Sequence, residues 1–421
     1  MAAVRRLALA LVTPLVATLA ITAPAAAQGT FTWNNATGNA WLTAGNWSPA
    51  TNFPGLTGNA TGNNAGDTAS FASILPSGNA VGIDMSTGSN NANQLLQLGA
   101  ITFSNTSNGL TVGNSSNNKT GTLQLNGATV NGQQETILSN TSGSQTLTIQ
   151  NSVGSSTQNT TVLLGSLPNG SGYVVAGNGS SISISTAISD GGNNKGITVP
   201  GGGTVILSGA NTYSGTTLVT GGTLQVANTS GSATGSGMVG VASPARLSGT
   251  GTITTGLGVD VGGRLQPGTD AAAGTLTVNG NAQISGASSR YIWSLSNSGT
   301  GFTSAPTDGA SDAAGQSRLV VNGNLTFQPG TIDMTGLGST GFDNTKFYSW
   351  TVATGTTASI GSQPTFNTVG LNTGGGTFLL SSNGTSVFVA FSPVPEPASI
   401  LFCCAAAAAL TGYVRRRRAA R

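Results

Sequence analysis

The stretch that decides the fold runs Thr204-Val205-Ile206-Leu207-Ser208-Gly209-Ala210-Asn211-Thr212-Tyr213-Ser214-Gly215-Thr216-Thr217, then Gly221-Gly222-Thr223-Leu224-Gln225-Val226. Apolar side chains alternate with Thr, Ser and Gln over only a few positions before glycine or asparagine intervenes, which is the period of a half-buried strand between tight turns. The pairs Gly203-Thr204 and Gly222-Thr223 lie 19 residues apart, about the length of one coil of a solenoid. The same bursts recur outward in both directions: Ile101-Thr102-Phe103, Leu123-Gln124-Leu125, Leu147-Thr148-Ile149, Ile182-Ser183-Ile184, Leu276-Thr277-Val278 and Leu325-Thr326-Phe327. Helical periodicity is almost absent. The expected class is all-β, a right-handed parallel β-helix (β-solenoid). Gly and Asn would take left-handed corners, and small Thr, Ser and Val would fill a narrow bore. At about 20 residues per coil, the body would form a rod of about 80 Å.

Together with Leu247-Ser248-Gly249-Thr250-Gly251-Thr252-Ile253 and Leu265-Gln266-Pro267-Gly268, the segment from about 201 to 295 resembles the autotransporter-associated β-strand repeat, which implies a parallel β-helix element. Asn211 and Gly215 are expected at corners, with Tyr213 capping the interior or stacking outside. Upstream, Trp33, Trp41, Asn46-Trp47 and Gly66-Asp67-Thr68-Ala69-Ser70-Phe71 are similar to the region often placed before such repeats. The three tryptophans read as a cap over the first coil, with a carbohydrate-stacking platform as the alternative, and Asp67 is expected to bind a turn backbone. An autotransporter would need a translocator barrel of amphipathic strands, for which the chain after Leu295 is too short.

Composition narrows the chemistry. The chain has 421 residues, 64 glycines, no histidine and 6% charged residues. Triad bases and the commonest transition-metal ligand are therefore missing. Its two cysteines, Cys403 and Cys404, are adjacent within an apolar run and form neither a disulfide framework nor a zinc motif. Residues 28–393 carry seven basic and ten acidic side chains, with no run of basic residues suited to nucleic acid. Asp308 and Asp312 fall in a loop that lacks calcium-binding spacing, so a solvated turn is expected there. Nothing in the sequence pairs Asp333 with Asp343 for glycoside hydrolysis. No catalytic residue, cofactor or metal is assigned. Asn-x-Ser/Thr triplets such as Asn35-Ala36-Thr37, Asn105-Thr106-Ser107 and Asn383-Gly384-Thr385 arise from composition alone.

The two ends read as addresses. Residues 1–27 combine Arg5 and Arg6, an apolar stretch and Ala25-Ala26-Ala27, the pattern of a signal helix removed by signal peptidase. At the other end Val394-Pro395-Glu396-Pro397 precedes an apolar run, 398–414, followed by Arg415, Arg416, Arg417 and Arg418. A helix over that run would span about 25 Å, the short limit for a bilayer, with the arginines as a stop-transfer signal. This tail, 394–421, resembles the PEP-CTERM sorting signal of Gram-negative bacteria. The resemblance implies a C-terminal transmembrane helix held transiently in the inner membrane, with recognition of the motif by an exosortase. It also implies release to the exterior or cell surface, commonly beside exopolysaccharide. The expected organisation is a signal peptide (1–27), an N-terminal cap and first coils (28–98), a β-solenoid (99–393) and the sorting signal (394–421). The expected function is a non-enzymatic secreted surface or extracellular-matrix protein of exopolysaccharide or biofilm, with exopolysaccharide or envelope glycans as partners. The alternative is a carbohydrate-active β-helix enzyme, a polysaccharide lyase or hydrolase.

Overall fold

A computed structural model describes residues 29–394, apart from 39, 51–52, 58–64, 84–93, 115–120, 153–159, 337–340 and 369–370. The signal helix at 1–27, the motif residues Pro395, Glu396 and Pro397, the membrane helix at 398–414 and Arg415 to Arg418 lie outside the described residues. Within them no helix is long and apolar enough to cross a membrane.

The described chain is all-β, with long parallel sheets compatible with a β-solenoid. Its only helical turns are the three-residue 3-10 segments Ala44–Asn46 and Ser77–Asn79. Three ladders share the work. One begins at Thr30–Trp33, passes through Thr68–Phe71, Ala100–Phe103 and Gln133–Asn140, and continues through Gly196–Val199 and Thr217–Val219 as far as Thr357–Ile360. A second carries Thr146–Ser152, Ser181–Ile184, Thr204–Leu207, Thr223–Val226, Arg246–Gly249 and Arg264–Pro267, one strand per coil. The third is divided between Gln94–Leu98, Gly121–Leu125, Thr160–Leu164 and Ala187–Ser189 on one side, and Thr252–Thr254, Thr275–Asn279, Arg318–Val321 and Tyr348–Thr354 on the other.

The alternation in the sequence is the in/out alternation of these ladders. Leu147 and Ile149 stack on Ile182 and Ile184, which stack on Val205 and Leu207, then on Leu224 and Val226. All eight are buried, and the residues between them are partly exposed. Thr204 pairs with Thr223, so the 19-residue spacing is indeed one coil.

Three expectations are corrected. The bore is filled mainly by Leu, Ile and Val, with threonines such as Thr186, Thr217 and Thr234 as a buried minority. A larger aliphatic side chain removes more apolar surface from water than Thr and leaves no hydroxyl to satisfy. Coil length is not constant either. In the first ladder it is 20 to 23 residues between Ile197 and Ala282, but 32 from Thr68 to Ala100 and 43 from Ala282 to Leu325. Long excursions use chain without adding height, so the twelve strands of that ladder rise about 50 Å, well short of 80 Å.

The third correction concerns Gly215, which does not have a left-handed backbone. A Cβ there would lie 2.4 Å from the carbonyl carbon of Lys195 on the neighbouring coil, so glycine is required by close approach. Gly222 does combine the two demands, with φ +58 and a neighbouring carbonyl oxygen 2.3 Å from any Cβ.

Candidate functional site

The repeat segment is held by polar staples between coils. Asn211, almost fully buried, accepts from the Ile188 amide on the preceding coil (2.8 Å) and donates to the Ala233 carbonyl on the following one. One side chain thus joins three coils and satisfies backbone groups that a corner would leave unpaired. Tyr213 is buried, its hydroxyl 2.6 Å from that of Thr217, and burial raises its pKa far above the usual value despite that hydrogen bond. It fills the interior and does not stack outside.

Asp190 is the carboxylate counterpart of Asn211. Its Oδ2 accepts from the Lys195 amide (3.1 Å) and from both the amide (3.1 Å) and hydroxyl (2.6 Å) of Ser214, and its Oδ1 from the Gly192 amide (2.9 Å). Burial alone would raise its pKa, but these four donors outweigh it and hold the group below the ordinary range. The sequence offered no sign of this role, because the contact to Ser214 crosses to the next coil.

At the first coil Trp33, Trp41 and Trp47 are buried around Phe71, with ring centroids 5.4 to 5.9 Å from it. The Trp41 and Trp47 indoles donate to the carbonyls of Pro54 (3.1 Å) and Trp41 (2.8 Å). No indole face is presented to a sugar, so the cluster is a cap. Asp67 binds turn backbone, accepting from the amides of Gly29 (3.0 Å) and Gly55 (3.3 Å). A second aromatic cluster at the far end, Trp293, Tyr348, Trp350, Phe342 and Phe391, escaped the sequence reading.

The candidate carboxylates fall into structural roles. Asp312 accepts from the Thr351 amide and from Arg318, both at 2.7 Å. Asp333 takes a two-pronged ion pair from Arg290 and a hydrogen bond from Asn367 (2.8 Å). Asp343 sits in its own turn, accepting from the amide (2.9 Å) and hydroxyl (2.7 Å) of Thr345, and has no partner in common with Asp333. Among the described residues no group of three acidic, His or Cys side chains could hold a metal ion. Asn35, Asn105 and Asn383, the asparagines of the three Asn-x-Ser/Thr triplets named above, accept from amides two residues ahead, as turn formers do.

Two hollows are bordered by polar side chains. One of about 690 Å³ is lined by Gln97, Gln124, Asn126, Ser166 and Asn169, with Glu135 the single titratable group among the described residues that line it. Asp270 and Asp333 both border another, of about 330 Å³. The hydrogen bond from Arg246 leads in lowering the pKa of Asp270; for Asp333 burial acts upward but is overcome by Arg290, Asn367 and the charge of Arg264. Hydrolysis needs one carboxyl kept protonated near neutrality, and both of these are pushed the other way.

Register also exposes a feature hidden by sequence spacing. Arg246, Arg264 and Arg290 occupy the same outward column on three successive coils. Three of the seven basic side chains of a net-negative body are thereby aligned, though no two are neighbours in the chain.

The Passenger-associated-transport-repeat family model matches residues 198–226, the first part of the stretch that resembles an autotransporter-associated repeat. The matched residues include Asn211, the three-coil staple, the buried ring of Tyr213 and the close-approach Gly215. No curated protein matches the chain.

Proposed function

We propose that this protein is a secreted, non-enzymatic surface or extracellular-matrix scaffold, a right-handed parallel β-helix delivered by a signal peptide and sorted by an exosortase. The observation that carries the reading is the presence in one chain of a passenger-type repeat and a Val394-Pro395-Glu396-Pro397 tail with its apolar run and arginines. Repeats of this kind belong to passengers destined for the cell exterior, and the tail supplies a processing site. The carboxylates favour a scaffold over a carbohydrate-active enzyme, because Asp67, Asp190 and Asp312 serve backbone turns while Asp270 and Asp333 are ion-paired. A rod of this kind would act by repeated weak contacts of outward hydroxyls and amides with exopolysaccharide or envelope glycans.

The test is Glu396→Ala in the native host. Export should proceed, because the signal peptide is unchanged, while tail removal stops and the full-size protein stays in the inner membrane through 398–414. Equal size and equal location for variant and wild type would overturn the sorting reading.

A further inference from the structure

We infer that Arg264 is the anchor of a binding site for the carboxylate groups of a uronate-bearing polysaccharide. The inference rests on the reading of the protein as a glycan-associated scaffold and gives that scaffold a ligand chemistry.

The argument begins with register. Thr223, Arg246, Arg264, Arg290 and Thr331 stand in one outward column, a single coil apart. Parallel neighbours lie about 4.8 Å apart, and like charges that close destabilise a sheet unless something of opposite sign is brought to them. For two of the arginines the fold supplies it by the same rule. Each reaches the residue two places along on the next coil: Arg246 donates to Gln266 (2.9 Å), and Arg290 to Asp333 (2.6 Å from Nε). Arg246 also pairs with Asp270 at 2.6 Å.

Applied to Arg264, the rule leads to Ile292, which is adjacent to Asp333 in the ladder and offers no acceptor. Arg264 is exposed, and among the described residues it makes no side-chain hydrogen bond or ion pair. Three positive and two negative groups therefore share this face, and the unbalanced charge is the middle one. The shallow hollow beside it is bordered by Ile292, Met334, Thr335 and Asn367 as well as the two aspartates. Ile292 and Met334 give it an apolar patch for a sugar ring, and the Asn367 amide and Thr335 hydroxyl, bonded to Asp333 and Ser294, stand at its edge. Arg264 is the register partner of Arg290, two residues before Ile292 on the border of that hollow. A planar guanidinium matches a carboxylate in a two-pronged hydrogen bond, which makes a uronate a better fit than a neutral sugar.

The test uses the purified full chain in affinity electrophoresis through gels containing polygalacturonate, dextran sulfate or neutral dextran. Wild type should be retarded by polygalacturonate only, and less so as salt rises. Arg264→Gln, a change at an exposed position, should weaken retardation about tenfold. Arg264→Lys, which keeps the positive charge but not the two-pronged hydrogen bond, should weaken it by a smaller factor. Retardation of Arg264→Gln equal to wild type would overturn the inference, as would no retardation of wild type or retardation by dextran sulfate alone. Arg264→Gln should be sorted and trimmed normally in the host, so this site can fail while the sorting reading stands, and the reverse.

Discussion

Asp190 shows what a single side chain can do when coils are stacked: one carboxylate accepts four hydrogen bonds from two coils. Asp190→Asn would turn an amide donor toward at least one of those donors, and we expect a loss of about 2 kcal/mol near neutral pH. The pH dependence has a definite sign. Because the folded pKa is lowered, the contribution of Asp190 is complete above the usual aspartate value and disappears as pH falls through the folded value. Chemical denaturation from pH 7 downward should therefore show the wild-type advantage over Asp190→Asn shrinking in acid; a constant gap would refute this role. Such contacts were illegible in the sequence, since nothing near Asp190 announces Ser214, just as nothing near Arg264 announces Arg246 and Arg290. Their meaning lies in a register that varies from coil to coil. By contrast Leu224 and Asp67 could be placed from their immediate neighbours, because inward alternation and turn chemistry are local, whereas Tyr213 was open in the sequence between interior and outside and only the fold buries it.

Among the elements, strands were the most legible and the connections the least. All six bursts outside the opening stretch, from Ile101-Thr102-Phe103 to Leu325-Thr326-Phe327, present two buried residues around a partly exposed one, as does Leu224-Gln225-Val226 within it. Between them the chain could close a coil in 20 residues or wander for 43, and the glycine-rich connections carry no pattern that tells which. The tryptophan cap was legible because three indoles within 15 residues exceed what one coil interior needs, whereas the distal aromatic cluster is dispersed from Trp293 to Phe391. Trp47, fully buried between Trp33, Trp41 and Phe71, is the keystone of the first cluster. Trp47→Ala should cost about 3 to 5 kcal/mol, concentrated at that end. Limited proteolysis should then cut within the first hundred residues before the rest of the chain melts, and simultaneous loss of both halves would contradict a local cap.

Across the whole molecule, stability should follow coil length. Where each turn of about 20 residues is nearly all ladder, few amides lie outside cooperative stacking, and long excursions reverse that balance. Hydrogen exchange of the full chain should be slowest between residues 197 and 282 and faster over 295–317; uniform protection would refute the gradient. The same ladders end in closures. The first strand is covered by antiparallel Trp47–Ser48, Leu56–Thr57 runs antiparallel to Gln94–Leu98, and Trp41 donates to Gly82 (3.1 Å). At the far end the antiparallel hairpin of Thr377–Ser382 and Ser386–Ser392 folds over the last coil, where Ala358 donates to Gly384 and the Gln363 amide grips both backbone groups of Leu380. Parallel strands left open would template one another indefinitely, as in a fibril. Among the described residues antiparallel pairing stoppers both mouths, so neither end ladder leaves a bare parallel edge for strand-by-strand addition of a second copy, and copies that meet would have to do so flank to flank.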